Sequence, residues 1–370
     1  MYFSKDLTTG FLSSDVVNDD VRYLMGAQNY ARLAHSIIDV NALESAYLDV
    51  GDWSVIGYEF KLWYWIVSIS MYIFHSEVAV RLLNILFAVA SVKCIYDICD
   101  KLYGMRVATL ASKLYAFLPY PVFFSCFLYK DQFYTLLVLL MLRIVLLKQE
   151  RMRLKDFLCL TGILAVSTFI RSGLSFFIAL LLGLIYLNYA KETLKRWYTV
   201  VLFLIGIVGI VVLWVYSMDS IETKYMAYVV DKNSGGGAIS LVEIRTMGDI
   251  WKYPFALLFA MLLPINNTGG LTSWIELVGY LNIVILPVAL GSLFYTIYWA
   301  YKKDVFFWCI QLLYLITIIT SLGIFRHLYY LQPYMLILFS LFYFKFKKKE
   351  RFITISIVLI ILYGIAVFSL

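Results

Sequence analysis

Charge is scarce in this chain. Asp, Glu, Lys and Arg together make up 15% of its 370 residues, whereas soluble proteins carry about 25%. Hydrophobic residues make up 62%, well above the roughly half that a soluble domain contains. The composition therefore argues against a soluble protein and predicts an all-α, polytopic integral membrane protein.

Cysteine is also sparse, and its spacing forms no metal-binding pattern. Cys94 and Cys99 have no second Cys or His pair that would complete a zinc site. The five cysteines are scattered through apolar segments, where they are expected to act as small packing residues: Cys94, Cys99, Cys126, Cys159 and Cys309. We therefore predict no metal site and no cofactor.

Two further features have little support in the sequence. Residues 1–18 lack the apolar core of a secretory signal peptide. The net charge of +7 does not indicate a nucleic-acid partner, because most Lys and Arg fall in short loops between apolar runs. Membrane lipids are the partners that this distribution predicts.

The apolar runs predict a bundle of about ten transmembrane helices, since one span needs about 20 mostly apolar residues. The expected spans are roughly 78–100, 106–127, 132–149, 156–171, 174–190, 197–217, 275–300, 304–324, 328–346 and 352–370. Residues 58–75 fit either a span or a helix in the membrane interface, and we favour the interface. Residues 253–264 are apolar but too short to span, which also indicates an interfacial helix.

Basic loops give the orientation. Four of the predicted loops on one side of the bundle are rich in Lys and Arg, and they lie near residues 148–155, 191–196, 302–303 and 345–351. The positive-inside rule makes that side cytoplasmic. The first sixty residues carry nine Asp or Glu and three Lys or Arg, and they lie on the opposite side. The sequence thus predicts a protein of the cytoplasmic (inner) membrane with an extracytoplasmic acidic segment.

The predicted spans and loops form a single integral membrane domain, residues 1–370, with four parts. Residues 1–77 are an extracytoplasmic acidic segment with interfacial helices, and 78–217 are a transmembrane bundle. Residues 218–273 are an extracytoplasmic loop, and 274–370 are C-terminal transmembrane helices.

Charged residues cluster at the predicted outer rim, where they are costly unless they have a function. Carboxylates there could accept a proton, and cations could hold a phosphate. Structural alternatives exist for each of them. Asp19 and Asp20 could cap a helix that starts near Val21, Arg81 and Arg171 could reach to the interface, and Lys130–Asp131 could be an internal ion pair. His327 could be structural.

Several of these residues stand in a familiar order. Asp19-Asp20-Val21-Arg22-Tyr23 is followed by the aromatic segment 59–65, which contains Lys61, and then by Arg81-Leu82 with Asn84. Leu118-Pro119-Tyr120-Pro121 leads to Lys130–Asp131, and Arg326–His327 precedes Pro333. In this order the chain resembles the GT-C fold glycosyltransferases that use lipid-phosphate sugars, which include the aminoarabinose transferases and the protein O-mannosyltransferases.

The resemblance covers roughly residues 15–345 and has two departures. Family members normally have a transmembrane helix before the acidic loop, and none precedes it here. The Pro-Pro that usually follows the family's Lys is also missing after Lys61.

The resemblance implies a role for each residue. Asp19 would be the general base, and Asp20 and Asp131 would assist or orient it. The donor phosphate would be held by cations from several segments: Arg22, Lys61, Arg81, Lys130, Arg171, Arg326 and His327. The donor would be a polyprenyl-phosphate-linked sugar, and the acceptor a glycan, lipid or protein of the cell envelope.

Two other functions are compatible with the sequence. An envelope-polysaccharide polymerase would share the lipid carrier but use a diphosphate-linked oligosaccharide. A transporter or flippase would perform no chemistry, and such proteins often contain repeats and place ionisable groups near the bilayer midplane. The chain has no visible repeat and its outer charges lie at span ends, which favours the glycosyltransferase.

Overall fold

The computed structural model describes residues 15–50, 61–148, 153–170, 285–295 and 329–368. These residues are helical and contain no strand, as the composition predicts. The helices are α1 (Asp15–Leu33), α2 (Val40–Leu48), α3 (Lys61–Phe74), α4 (Glu77–Tyr103), α5 (Met105–Phe117), α6 (Pro119–Cys126), α7 (Lys130–Leu147), α8 (Leu154–Thr168), α9 (Ile285–Tyr295), α10 (Gln332–Lys345) and α11 (Lys349–Phe368).

Helices α4, α7, α8, α10 and α11 match predicted spans in place, with small shifts at their ends. Only residues 285–295 of the predicted span 275–300 are described, and they form α9. The 78–100 span corresponds to α4, a helix of 27 residues. It ends at Gly104, whose φ of 88° lies in the left-handed region that glycine tolerates. Because α5 starts at the next residue, α4 and α5 form the tight hairpin that the short spacing indicates. Helices α7, α8, α10 and α11 likewise lie within three residues of their predicted starts and ends, apart from the four-residue shift at the start of α10.

The predicted span 106–127 is broken in the middle. Helix α5 ends at Phe117, and α6 leaves it at an angle of 53°. The cause is Pro119, which has no N–H to donate into the helix and disfavours helical geometry at the residue before it. Leu118 accordingly adopts an extended conformation, with ψ of 141°. The helix predicted over these residues is therefore bent at its centre rather than continuous.

The number of spans stays a prediction. Among the residues that the structure describes, α4 alone is long and apolar enough to cross a membrane, and α5 with α6 passes the same test as a bent pair. The predicted spans 174–190, 197–217 and 304–324, and the loop 218–273, lie outside the described residues.

The acidic N-terminal segment contains a helix that begins earlier than expected. Helix α1 starts at Asp15, so Asp19 and Asp20 lie inside it, and the interpretation of these acids as caps near Val21 is wrong. Tyr23, Ala27, Tyr30 and Ala34 recur at helical spacing, which predicts a packing face. The first three are buried, and Ala34 is partly buried against the same core. Asp39 caps the next helix, α2, and backbone N–H groups of Ala42 and His35 lower the pKa of its carboxyl.

Helix α3 packs against the acidic helix α1. Its 14 described residues are mostly apolar, and the rings of Trp63 and Trp65 pack edge-on against Tyr23 and Tyr30. The choice between a span and an interfacial helix for residues 58–75 stays a prediction. Helices α1–α3 share one hydrophobic core, and α4–α7 share another with α9 and α10. Phe87 and Phe133 lie 4.6 Å apart between ring centroids and pack against both cores.

Gly26 lets α1 approach α2 closely. A Cβ at this position would lie 2.2 Å from the ring of Tyr47. That ring cannot move easily, because it packs on Tyr64 at 4.5 Å and its hydroxyl bonds Ser68 Oγ at 3.1 Å. We expect Gly26→Ala to lower the free energy of unfolding by about 1–3 kcal/mol, as other overpacked sites do.

The measurement is thermal unfolding of the purified protein in detergent, with Gly162→Ala as the matched control. Gly162 also lies inside a helix, but nothing lies within 4 Å of a Cβ there. Alanine favours a helix over glycine by about 1 kcal/mol, so the control should be stabilised slightly. Equal stabilisation of both variants would contradict the close packing of Gly26.

Candidate functional site

The structure joins two of the predicted site residues directly. Arg81, in the second turn of α4, makes a two-pronged ion pair with Asp20 of α1, with Nη1 and Nη2 donating to the two carboxylate oxygens at 3.1 and 2.9 Å. Its Nε donates to Glu77 at 2.9 Å. Asp20 is 4% exposed. The pair therefore fastens the acidic helix to the start of the longest helix, and Arg81 does not simply reach to the interface.

The same two residues also hold the loop between α6 and α7. The backbone N–H of Leu128 donates to Asp20 Oδ1 at 2.6 Å. Arg81 Nη1 donates to the carbonyl of Cys126 at 3.0 Å. Four of the five N–H donors of Arg81 are thus engaged by the protein itself. This makes Arg81 a support for the loop and limits what it can offer a phosphate.

Two more side chains bind the remaining carbonyls of this loop. Asn84 Nδ2 donates to the carbonyls of Phe127 and Tyr129, the latter at 3.0 Å. Trp63 Nε1 donates to the carbonyl of Leu128 at 3.0 Å. We call Asp20, Trp63, Arg81 and Asn84 together the loop clamp. A buried loop would otherwise leave its polar groups unpaired, so the clamp is what allows Leu128 and Tyr129 to lie inside the protein.

The clamped loop leads straight into the next pair of predicted site residues. Helix α7 begins at Lys130, which is partly buried, and Asp131 in its first turn is 2% exposed. Three residues separate Asp131 from Leu128, a path of at most about 11 Å along the backbone. The clamp therefore sets where Lys130 and Asp131 lie relative to the acidic helix.

The other predicted residues divide into two groups. Asp19 precedes Asp20 on α1, Lys61 begins α3, and Arg22 is exposed on α1; the side chains of Asp19 and Lys61 are outside the described part of the structure. Arg171, Arg326 and His327 lie outside the described residues altogether. The structure thus joins Asp20 and Arg81. Lys130 and Asp131 come directly after the loop that this pair holds. The remaining roles stay predictions.

Sequence reasoning missed the roles of Trp63 and Asn84. Both appear in the motifs of the resemblance, but neither was given a function. Asn84 lies three residues after Arg81, which places the two side chains on one face of the helix. That spacing was the available signal. The partners were not predictable, because they are backbone groups of a loop more than 40 residues away.

A second group of charges lies far from the clamp. Asp97 of α4 pairs with Lys93 at 2.7 Å and with Arg143 of α7 at 2.9 Å. At 1.5 Å per residue, Asp97 is about 24 Å along the helix from Arg81. The two ion-pair groups therefore lie toward opposite ends of α4. Asp20, Arg81, Lys130 and Asp131 belong to the end that carries the clamp.

A metal site finds no support among the described residues. No three His, Cys, Asp or Glu side chains converge there as metal ligands would. The groups near the clamp that carry chemistry are carboxylates and cations. Such a set can take up a proton and can neutralise an anionic leaving group.

Comparison with known proteins decides the class. Residues 62–216 match the family model described as dolichyl-phosphate-mannose-protein mannosyltransferase. The match supports a GT-C fold glycosyltransferase. The glycosyltransferase is accordingly an integral membrane protein. No curated protein and no solved structure matches the chain.

The matched segment covers less than half of the glycosyltransferase, but it includes much of the site. Trp63, Arg81 and Asn84 of the clamp lie inside it, together with Lys130 and Asp131. The segment also contains Arg171. Asp19, Asp20 and Arg22 lie before the match, as does Lys61, and Arg326–His327 lie after it. The family match confirms the resemblance seen in the sequence. Asp19 and Asp20 lie outside the matched segment, but the ion pair between Asp20 and Arg81 connects them to it.

Proposed function

We propose that this glycosyltransferase moves a sugar from a polyprenyl-phosphate donor to a glycan, lipid or protein acceptor on the extracytoplasmic face of the cytoplasmic membrane. The observation that carries the proposal is the position of residues 126–131, which comprise the clamped loop and the start of α7. This loop lies inside the segment that matches a family named for its dolichyl-phosphate-mannose donor, and the clamp fastens it to the acidic helix α1. Carboxylates and cations from separate parts of the chain therefore share one end of the bundle.

The proposed reaction needs one base and several cations. Asp19 takes the proton from the acceptor hydroxyl or amine as that group attacks the anomeric carbon of the sugar. The bond between that carbon and the phosphate oxygen breaks, and polyprenyl phosphate leaves with both electrons. In this proposal Lys130 and Arg22 neutralise its charge. Lys61, Arg171, Arg326 and His327 are further phosphate ligands in this proposal.

Asp20 and Asp131 have supporting roles in this scheme. Both Asp20 oxygens accept hydrogen bonds from Arg81, and one also accepts the N–H of Leu128. A carboxylate whose two oxygens are both engaged by the protein suits a residue that positions α1. Asp131 orients the acceptor or the base from the first turn of α7.

The function is tested by transfer of radiolabelled mannose from polyprenyl-phosphate mannose in membranes that contain the protein. We expect transfer above that of membranes without it. A parallel reaction with a polyprenyl-diphosphate oligosaccharide distinguishes the polymerase, which would use only the second donor. Absence of transfer from monophosphate donors of several sugars would contradict the proposed function and favour a transporter.

The proposed orientation makes a separate prediction. In a variant without native cysteines, a cysteine at Ser14 or Ser234 should react with a membrane-impermeant maleimide in intact cells, and one at Lys348 should not. The reason is the contrast between the acidic N-terminal segment and the basic loop 345–351. Lysed cells provide the control, because all three positions should then react. Protection of Ser14 and Ser234 with labelling of Lys348 in intact cells would reverse the orientation.

A further inference from the structure

A ring of three buried hydrogen bonds lies beside the clamped loop. The hydroxyl of Tyr329 donates to Gln132 Oε1, and Gln132 Nε2 donates to the hydroxyl of Tyr115 at 3.2 Å. The two tyrosine oxygens are 3.1 Å apart. Since the proton of Tyr329 is directed to Gln132, Tyr115 is the donor in this third bond. Each hydroxyl therefore donates once and accepts once, and the ring is closed.

The ring joins parts of the protein that are far apart in sequence. Tyr115 lies on α5 and Gln132 in the first turn of α7, while Tyr329 opens the short 3₁₀ turn before α10. All three residues are fully buried, with 0% exposure. Gln132 Nε2 also approaches Ser91 of α4 at 3.5 Å. The ring thus fixes the rotation of the start of α7 against three other elements.

Stability alone does not account for such a ring. A buried polar group is costly unless it is fully paired, and replacing all partners by apolar groups of similar shape is often neutral or stabilising. The ring does have a geometric consequence, because Gln132 directly follows Asp131. The loop clamp holds the chain just before Asp131, and the ring holds it just after. Asp131 is therefore located from both sides.

We propose that Gln132, Tyr115 and Tyr329 are positioning residues for glycosyl transfer, which act by fixing the first turn of α7 and with it Asp131. The inference rests on the proposed function of this site. Reacting groups tolerate little displacement, and an error of about 1 Å can reduce the rate by about 10²-fold. The ring supplies that precision without contacting the substrates.

The test uses an apolar version of the ring in the full-length protein: Tyr115→Phe, Gln132→Met and Tyr329→Phe combined. Because no polar partner is left unpaired, the triple variant should unfold within a few degrees of the wild type. We expect kcat with polyprenyl-phosphate mannose to fall about tenfold or more, with a donor KM within about twofold of the wild-type value. Ser340→Ala is the matched control, since it removes a buried hydroxyl of α10 that bonds only within its own helix.

A stable triple variant with wild-type kcat would overturn the proposal, since the ring would then be structural only. Hydrogen exchange gives a second measurement that needs no activity. Tyr329→Phe should speed amide exchange in residues 127–135, across the ring from the substitution, and Ser340→Ala should not. Unchanged amide exchange in these residues would equally overturn the proposal. If the triple variant does not fold, the exchange measurement on Tyr329→Phe alone tests whether the ring fixes the start of α7. Failure of the wild type to transfer sugar would instead contradict the proposed function.

Discussion

Asp19→Asn is expected to fold normally and to slow glycosyl transfer by about 10²–10⁴-fold, the usual contribution of a positioned general base. Asparagine keeps the size of the side chain and its ability to form hydrogen bonds, but it cannot take the proton from the acceptor. The KM for the donor should change little, because the base acts on the acceptor. The measurement is transfer of radiolabelled sugar from polyprenyl-phosphate donor at equal protein levels.

Asp20→Asn and Asp131→Asn are the matched comparisons for this variant. Asp20 is ion-paired and buried, so its substitution should reduce stability more than it reduces the rate per folded molecule. Full activity of Asp19→Asn would remove Asp19 as the base and leave Asp131, in the first turn of α7, as the next candidate. Full activity of all three variants would contradict the enzymatic mechanism and favour a transporter.

Arg81→Ala is expected to have the largest effect on stability, a loss of about 3 kcal/mol or more in the free energy of unfolding. Removing one partner of a buried ion pair leaves the other charge uncompensated, which typically costs about 3–5 kcal/mol. Asp20 would be that charge. The carbonyl of Cys126 would lose a donor as well. Thermal unfolding in detergent measures the loss, and the midpoint should fall by several degrees.

Arg143→Ala provides the control for Arg81→Ala. Arg143 also pairs with an aspartate at 2.9 Å, but its side chain is 41% exposed, against 18% for Arg81. Exposed pairs contribute about 0–1 kcal/mol, so this variant should be nearly as stable as the wild type. Equal losses in the two variants would contradict the role of the loop clamp.

A double-mutant cycle isolates the pair itself. Asp20→Asn keeps an acceptor for the N–H of Leu128 and removes the charge. Adding it to Arg81→Ala should therefore cost less than the sum of the two single losses, by about 0.5–3 kcal/mol. Strict additivity would mean that Asp20 and Arg81 stabilise the protein independently.

The sequence by itself determined the class of molecule and most of its helices. Long apolar runs and rare charges predict membrane helices, because a span must satisfy its backbone polar groups internally. Gly104 and Pro119 mark a helix end and a break through their own backbone preferences. The order of the charged motifs also predicted the glycosyltransferase resemblance that the family match confirms. Each of these signals is local, so it can be read from neighbouring residues.

Only the tertiary structure decided which side chains meet. Asp20 and Arg81 are 61 residues apart, and Tyr115 and Tyr329 are 214 apart. Neither periodicity nor helix propensity specifies such pairs, because they depend on how helices pack and on which loop groups need partners. The same limit applies to Arg81, which the sequence predicts as a phosphate ligand. Its charge is visible in the sequence, whereas the carboxylates and the carbonyl that engage it are brought to it by the fold.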